Sequence, residues 1–591
     1  MSAPWWWRDE AASDATQAIP CELPLIVTFA SRACHTDLLY CVAMQPPLPR
    51  SFPALPAIPV SLAALLGVSA WVGAVPVVEK PADTAAAQAA EAAPEPTFYI
   101  REYRVSGVRQ LTPAEIGEAV YPFLGPGRTS GDVEQARAVL EKAYRDKGFQ
   151  TVTVQVPSQQ GRGGIIYLEA VENKVGRLRV KGSRYFSLAD IKRRAPSLAE
   201  GKVPNFNEIT RDIVALNGLP DRRVTPVLRA GVEPGTVDID LNVKDTFPLH
   251  GSVELNNRYS ANTSELRLNG SVSYNNLWQL GHSLGLSFQI APERLEDAMV
   301  FSGYYLMRFA DVPWLSLMVS GTKQDSNVST LGGVAVAGRG EIIGARAIVT
   351  LPAAKDFYHS LSFGADYKHF EENVLLGLTE TQTPITYYPI SLTYNASWAT
   401  KGRLTELNAG VVFHIRGTGS KQEEFDAKRF NADGSFFYFR GDLSHTQDLP
   451  AGFQLYGKVQ GQASGQPLLN SGQFSGGGLS TARGYLESEA VGDSALFGTL
   501  ELHSPSLSAL IGDKVINEWR VYVFGDAGLL RLNQPLPEQD SRFELASCGV
   551  GSRLKMLKHL NGSIDAGFPL ISAGQTLADD MLITFRVWGE F

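Results

Sequence analysis

A transmembrane antiparallel β-barrel of about 16 strands, preceded by two small α+β modules, is the fold class that this 591-residue sequence predicts. Three observations predict it. The order strand, helix, helix, strand, strand occurs twice between Phe98 and Asp245. Beyond Asp245 the helical period vanishes and apolar and polar residues alternate to the last residue. No run of about 18 purely apolar residues follows Thr97, so helices are not what would cross a bilayer.

The bulk composition is compatible with this. Charged residues make up 19% and hydrophobic residues 44%, and the mean hydropathy is near zero. Strands that alternate lipid-facing and lumen-facing side chains average to such values. The net charge of -8 lacks the basic excess of a nucleic-acid binder, and no nucleic-acid partner is expected. Of four cysteines, Cys21, Cys34 and Cys41 precede the expected mature start, which leaves Cys548 without an intramolecular disulfide partner.

Residues 1–43 read as an unstructured extension, with Trp5-Trp6-Trp7, scattered cysteines and no periodicity. A secretory signal occupies 44–74: Arg50 is its positive region, Ala54 to Val72 its apolar stretch and Val72-Gly73-Ala74 a small-residue cleavage site. Translation is therefore expected to start at Met44. Residues 75–97 form an Ala/Pro-rich linker, in which Asp83 or Thr84 can cap a short helix through Ala93 or the chain can stay a disordered tether.

The first module spans 98–172. Tyr99–Val105 is a strand closed by Gly107. Thr112, Pro113 and Glu115 carry the capping-box pattern of a helix start, and Gly125-Pro126-Gly127 ends that helix. Ser130–Lys147 is a second helix with Val133, Ala136, Leu140 and Ala143 or Tyr144 on one face and Gly148 after it. Thr151–Val156 and Ile165–Leu168 are strands. The second module, 173–245, repeats the order with Gly176–Val180 before Gly182, helices Ser187–Arg194 and Asn205–Asn217, and strands Arg223–Leu228 and Thr236–Val243.

Residues 246–591 carry the barrel pattern. Leu284, Leu286, Phe288 and Ile290 interleave with Ser283, Gly285, Ser287 and Gln289. Val459 and Ala463 interleave with Lys458, Gln460 and Gln462. A soluble sandwich also alternates, but here the apolar face keeps its Leu, Phe, Tyr and Trp strand after strand. At roughly 21 residues per strand plus connection, Phe247–Phe591 divides into about 16 strands. Closure follows, because an open edge in lipid leaves unpaired backbone groups. The chain ends with Ile583, Phe585, Val587 and Phe591 on one face.

The two modules resemble the polypeptide-transport-associated (POTRA) domain. Gly476-Gly-Gly-Leu-Ser-Thr-Ala-Arg-Gly-Tyr485 resembles the Val-Arg-Gly-Tyr/Phe tip of a long loop folded into the barrel, with Ala482 in place of Val. Phe524-Gly-Asp-Ala-Gly528 resembles the Phe-x-Asp-x-Gly strand motif that goes with it. Together these are similar to two-partner secretion transporters (TpsB), the ShlB/FhaC/HecB haemolysin secretion/activation family of the outer-membrane POTRA-barrel superfamily. The strand phase that turns Trp519, Val521 and Val523 to lipid turns Arg520, Tyr522, Phe524 and Asp526 inward. Arg483, flanked by Gly484 and Tyr485, is thus expected to meet Asp526, and Glu501 is a second candidate partner. The resemblance implies an outer-membrane location with periplasmic modules. It implies an unfolded secreted exoprotein of the TpsA type, expected to be β-helical, as the partner, bound by addition to a strand edge. Other implied partners are outer-membrane lipid and the barrel-assembly machinery, which would read Phe591 as an insertion signal. The family's N-terminal plug helix fits poorly, since Asp83–Ala93 would span only about 16 Å against an apolar band of roughly 25 Å.

No phosphate loop, zinc-type His-Glu-x-x-His or Gly-x-Ser-x-Gly elbow occurs, so no catalytic residue, metal or cofactor is expected. A barrel-insertion factor and a passive solute porin are the alternatives, the second leaving the tandem modules unexplained. Peptide mass mapping of the mature protein should recover no peptide containing Trp5 to Trp7; recovering one would remove the Met44 start.

Overall fold

The computed structural model describes residues 96–591 apart from 161, 330–335, 377–378 and 511–514. The expected extension, signal segment and nearly all of the linker lie outside the described residues. The chain divides into two compact units at Glu172/Asn173.

The first unit is one α+β module. Helix Pro113–Val120 starts at Thr112, whose hydroxyl and backbone exchange hydrogen bonds with Glu115. The Lys147 ammonium and the Thr112 backbone together hold the Glu115 carboxyl down at about 2. Helix Ser130–Asp146 buries Val133, Ala136, Leu140 and Tyr144 on a three-stranded sheet. In that sheet Ile165–Glu172 lies between Glu102–Ser106, parallel to it, and Val152–Gln155, antiparallel to it. Gly125–Arg128 follows the first helix and pairs with Phe98–Ile100 as a separate ribbon.

In the second unit, Lys174–Lys181, Arg222–Ala230 and Thr236–Asp245 repeat that sheet with the same strand order and directions. Helices Leu188–Arg193 and Phe206–Leu216, capped by Ser187 and Asn205, complete the second module.

The repeat extends to a local device. Gly107 and Gly182 close the first strand of each module with φ of +79° and +85°, and a side chain at either would run into a backbone oxygen, Ala170 O or Val243 O. Two residues later the chain turns over a carboxylate from the end of the third strand. Glu172 accepts from the backbone N–H groups of Arg109 and Gln110 at 2.7 and 2.9 Å, and Asp245 from those of Arg184 and Tyr185 at 2.8 Å each. Each acid satisfies two turn donors that have no strand partner.

From Leu249 the chain forms a closed antiparallel barrel of sixteen strands among the described residues. One strand is broken at Tyr388-Pro389: Thr379–Tyr387 and Ile390–Thr400 pair with successive parts of Phe357–Leu376. The burial pattern is inverted relative to a soluble sandwich. Leu286, Val459, Leu500 and Ile564 are about half exposed on the outer face, while Gln289, Thr322, Gln460 and Gln462 are buried inside. An apolar exterior around a polar interior is the arrangement a bilayer selects. Turn Leu277–His282 meets the second module, where the Ser187 N–H donates to Gln279 Oε1 at 2.9 Å and Arg194 donates to Leu280 O at 2.9 Å, and beside it His250 Nε2 of strand Leu249–Asn256 lies 2.6 Å from the carboxylate of Asp221. This turn marks the module end of the barrel.

The barrel closes where Leu582–Glu590 meets Leu249–Asn256 over only five Cα pairs, from Arg586↔Asn256 to Glu590↔Ser252. Backbone bonds between Gly251 and Phe591 extend the seam at one end. The Phe591 ring lies over Gly251, where even a methyl group would collide with it. At the other end the Asn257 side chain acts as an extra peptide unit, donating to Ile583 O at 2.8 Å and accepting from Phe585 N at 2.7 Å. Replacing Asn257 by Ala should lower seam stability by about 1–3 kcal/mol, the net worth of two hydrogen bonds. The loss would be read as a lower temperature for the folded-to-unfolded gel shift; an unchanged temperature would show that the side chain adds nothing.

Candidate functional site

Between strands Gln454–Ser464 and Ser494–His503 the chain turns back into the barrel instead of bridging them at the rim. Phe474–Gly476 and Ala490–Gly492 pair as a ribbon that carries the loop inward. At its base, Thr481 Oγ1 accepts from Gly477 N at 2.9 Å and donates to Gly477 O at 2.8 Å. The tip residues Ala482, Arg483 and Tyr485 are buried. Gly484 has φ of +90° and lies backbone to backbone on Gly567 of the wall, so a side chain on either residue would strike the other. These two glycines let the tip reach the wall.

Arg483 is 3% exposed. Its Nε and Nη2 donate to the two oxygens of Asp526 at 2.8 and 2.9 Å, and its backbone N–H donates to Asp526 Oδ2 at 3.0 Å. Nη1 donates to Glu501 Oε1 at 2.6 Å, and Asp565 Oδ1 lies 3.7 Å away. The face of the guanidinium rests 3.7 Å from the Phe524 ring centroid. A planar cation is therefore gripped on its edges by carboxylates and on one face by an aromatic ring, a geometry that lysine cannot reproduce.

Each residue of the strand motif has a contact. Phe524 supplies the ring and Asp526 the bidentate carboxylate. Gly528 leaves space for the Phe497 ring, which a side chain there would displace; Phe497 in turn stacks on Phe474 of the ribbon at 5.7 Å. The Tyr485 hydroxyl donates to Ile571 O at 2.6 Å and accepts from Ala546 N at 3.2 Å. Ala482 is packed among Phe474, Phe497, Leu530 and Leu545. Arg483, Glu501 and Asp526 thus come together, whereas Phe591 lies at the seam and touches none of them.

Several partners escaped the sequence reading. Asp565 sits inward on strand Leu560–Pro569 and accepts from the Tyr522 hydroxyl at 2.5 Å. His503 Nε2 lies 2.7 Å from Glu501 Oε2, and Arg553 reaches the same oxygen at 3.4 Å. Arg258, just past the first barrel strand, donates to Glu487 of the loop at 2.6 Å. Glu489 receives the Thr576 hydroxyl at 2.7 Å. Strand phase was available for Asp565 and His503, being the same argument that placed Asp526. Beside the tip lies a chamber of about 480 Å³ lined by Arg258, Arg483, Glu501, His503, Arg553 and Arg586, among others. No group of His, Cys, Asp and Glu among the described residues could hold a metal ion.

Comparison with known proteins places this geometry among relatives. A family model described as haemolysin secretion/activation protein ShlB/FhaC/HecB matches residues 235–554, and one described as POTRA domain, ShlB-type, matches 98–173. The outer membrane transporter CdiB of Dickeya dadantii (strain 3937) is 22% identical over 430 residues, which is 69% of this chain and 72% of that protein. The solved structure of CdiB from Escherichia coli aligns over 87% of this chain and 93% of its own, with a TM-score of 0.61 and 21% identity. BamA from Haemophilus ducreyi lacking POTRA domains 1–3 aligns over 84% of this chain and 100% of its own, with a TM-score of 0.50 and 15% identity. At these identities the solved structures share the fold.

Removing one partner of a buried, hydrogen-bonded pair costs about 3–5 kcal/mol because the other charge is left without compensation. Asp526→Ala should therefore free the tip, with new protease cleavage between residues 476 and 493 in otherwise folded barrels. An unchanged digestion pattern would show that the tip is held without Asp526.

Proposed function

Because the chain belongs to the haemolysin secretion/activation family ShlB/FhaC/HecB, we propose that it captures an unfolded exoprotein in the periplasm and passes it through the barrel lumen. It is an outer-membrane two-partner secretion transporter, with its N-terminal modules on the periplasmic side. A secreted exoprotein is its partner. The observation that carries the lumen route is a loop folded inside a closed, polar-lined barrel and held by one charged cluster around Arg483.

In this reading 98–172 and 173–245 are two POTRA domains and 246–591 is the barrel. The edge strand Glu102–Ser106 is open on one side, and a client segment can add to it by main-chain hydrogen bonds that demand little of its sequence. The client then enters the lumen. Arg483, Gly484 and Tyr485 hold the loop against Phe524, Asp526 and Gly528, with Glu501 as the second carboxylate, until the passing chain displaces them. No nucleotide is consumed; folding of the client outside the cell, where a β-helix would be built up coil by coil, biases its movement outward. The protein is assigned no enzymatic activity and no cofactor. Phe591 serves insertion by the barrel-assembly machinery.

Deleting the gene should abolish export of one exoprotein and leave other outer-membrane barrels at normal levels. Broad loss of barrels would mark an insertion factor instead, and lost uptake of small solutes a porin. Arg483→Asp puts like charges beside Asp526 and Glu501 and should lower secretion about tenfold or more, with the barrel still inserted and heat-modifiable. Secretion at the parental rate would remove the loop from the mechanism.

A further inference from the structure

The charged cluster does not explain the outer end of the barrel. There, opposite the end that meets the second module, the inward alternation becomes apolar. Phe437 and Phe439 are about half exposed on the outer face, so Phe436 and Tyr438 between and beside them point inward, and both are buried. Ile343 faces out and Ile342 faces in. Phe370, Ile385 and Tyr387 join the same inward patch. Interior positions of a water-filled barrel are polar, and a ring of aromatic side chains inside one is costly unless something dry covers it.

The cover is the connection between strands Arg403–His414 and Phe436–Asp448. It contains helix Gln422–Lys428, whose Phe425 is 0% exposed and meets Tyr387 and His414 with ring centroids 6.0 and 5.7 Å away, while Tyr387 in turn meets Phe436 at 5.9 Å. Leu468 and Leu469, from the root of the inward-folded loop, fill the rest. The connection is braced within itself: Gln422 donates to Ala432 O at 2.9 Å and accepts from Gly434 N at 3.0 Å. Such bracing lets it move as one piece.

Ser420, near the start of the connection, is bonded to Thr386 of the wall through its N–H at 2.7 Å and its hydroxyl at 3.1 Å, and the far side of the piece is tied to the neighbouring connections through one carboxylate. Asp493, at the root of the inward-folded loop, is fully buried. It accepts two bonds from Arg429 at 2.5 and 2.7 Å, one from Leu468 N at 2.9 Å and one from Asn533 N at 2.7 Å. Three outer connections, 415–435, 465–493 and 532–541, therefore meet at one anion, and Arg429 is the contribution of the first. A fork-to-fork Arg–carboxylate bond is strong in one geometry and lost on a small rotation.

We infer that connection 415–435 is a lid that seats in the apolar patch and closes the outer mouth of the lumen, latched by Arg429 on Asp493. The lid is a second closure, separate from the Arg483 cluster deeper in the barrel. Its removal wets the apolar patch, and its latch residue sits on the loop that carries Arg483, so lifting the lid loosens the root of that loop. An exported chain arriving from below has to lift it. The inference rests on the reading that the client crosses through the lumen.

The test uses the full-length protein in planar lipid bilayers, comparing the parent with Arg429→Gln and Phe425→Ser. Both should raise the open probability several-fold while the barrel stays heat-modifiable on gels, and Arg429→Lys, which keeps the charge and loses the fork, should fall between. A merely structural role for these residues would lower the folded fraction without raising conductance per folded barrel. Folded variants that gate like the parent would overturn the lid. Should Phe425→Ser fail to insert, the two Arg429 variants decide. If neither the parent nor any variant conducts, including Arg483→Asp, the lumen route itself falls. Parental channels that conduct alongside variants with identical gating remove the lid alone.

Discussion

The closed state depends on neutralising one buried guanidinium. Arg483 is almost wholly buried inside the barrel, and a bare cation there would cost several kcal/mol. Asp526 and Glu501 bond it, and Asp565 lies nearby. The loop tip can occupy only the place where those carboxylates converge, so the pose of the loop follows from the position of three wall strands. Desolvation offsets much of the attraction, and the cluster is better understood as a device for position than as a source of stability. That balance suits a loop that, on the proposed lumen route, must both stay and leave.

Around this contact the barrel separates two solvents. Its exterior is apolar and its interior polar, and the strands are closed because no edge can face lipid. The narrowest margin in that closure is the seam, where five residue pairs are supplemented by the Asn257 side chain and by Phe591 folded over Gly251. The inward polar rule fails in one region, the outer mouth, and there the chain supplies its own apolar cover. Both loops that enter the lumen are rooted in Asp493 or bonded to it, so one buried carboxylate joins the connections of the outer end.

Much of this is legible in the sequence. The capping residue Thr112, the glycines that end strands and the period-two runs each act over a few residues, and local physics reads them well. Strand phase placed Asp526 and Glu501 inside, and the same argument extended to Asp565 and His503 would have found them. Helix Gln422–Lys428 was not legible: seven residues with one buried aromatic have too short a period to stand out within strand-rich sequence. Nor were the turn acids Glu172 and Asp245, whose partners lie about sixty residues away.

By itself the sequence determined the class of fold, the repeat of the first module and the chemical identity of the loop tip, because alternation, capping and charge are properties of neighbours along the chain. Only the tertiary structure decided that Asp565 joins Asp526 and Glu501 around Arg483, that Gly484 and Gly567 touch backbone to backbone, and that Phe425 fills an apolar seat. Those contacts join residues 18 positions apart, as Arg483 and Glu501, and as many as 83 apart, as Gly484 and Gly567. Their pairing is set by strand register and barrel closure, which no local pattern encodes.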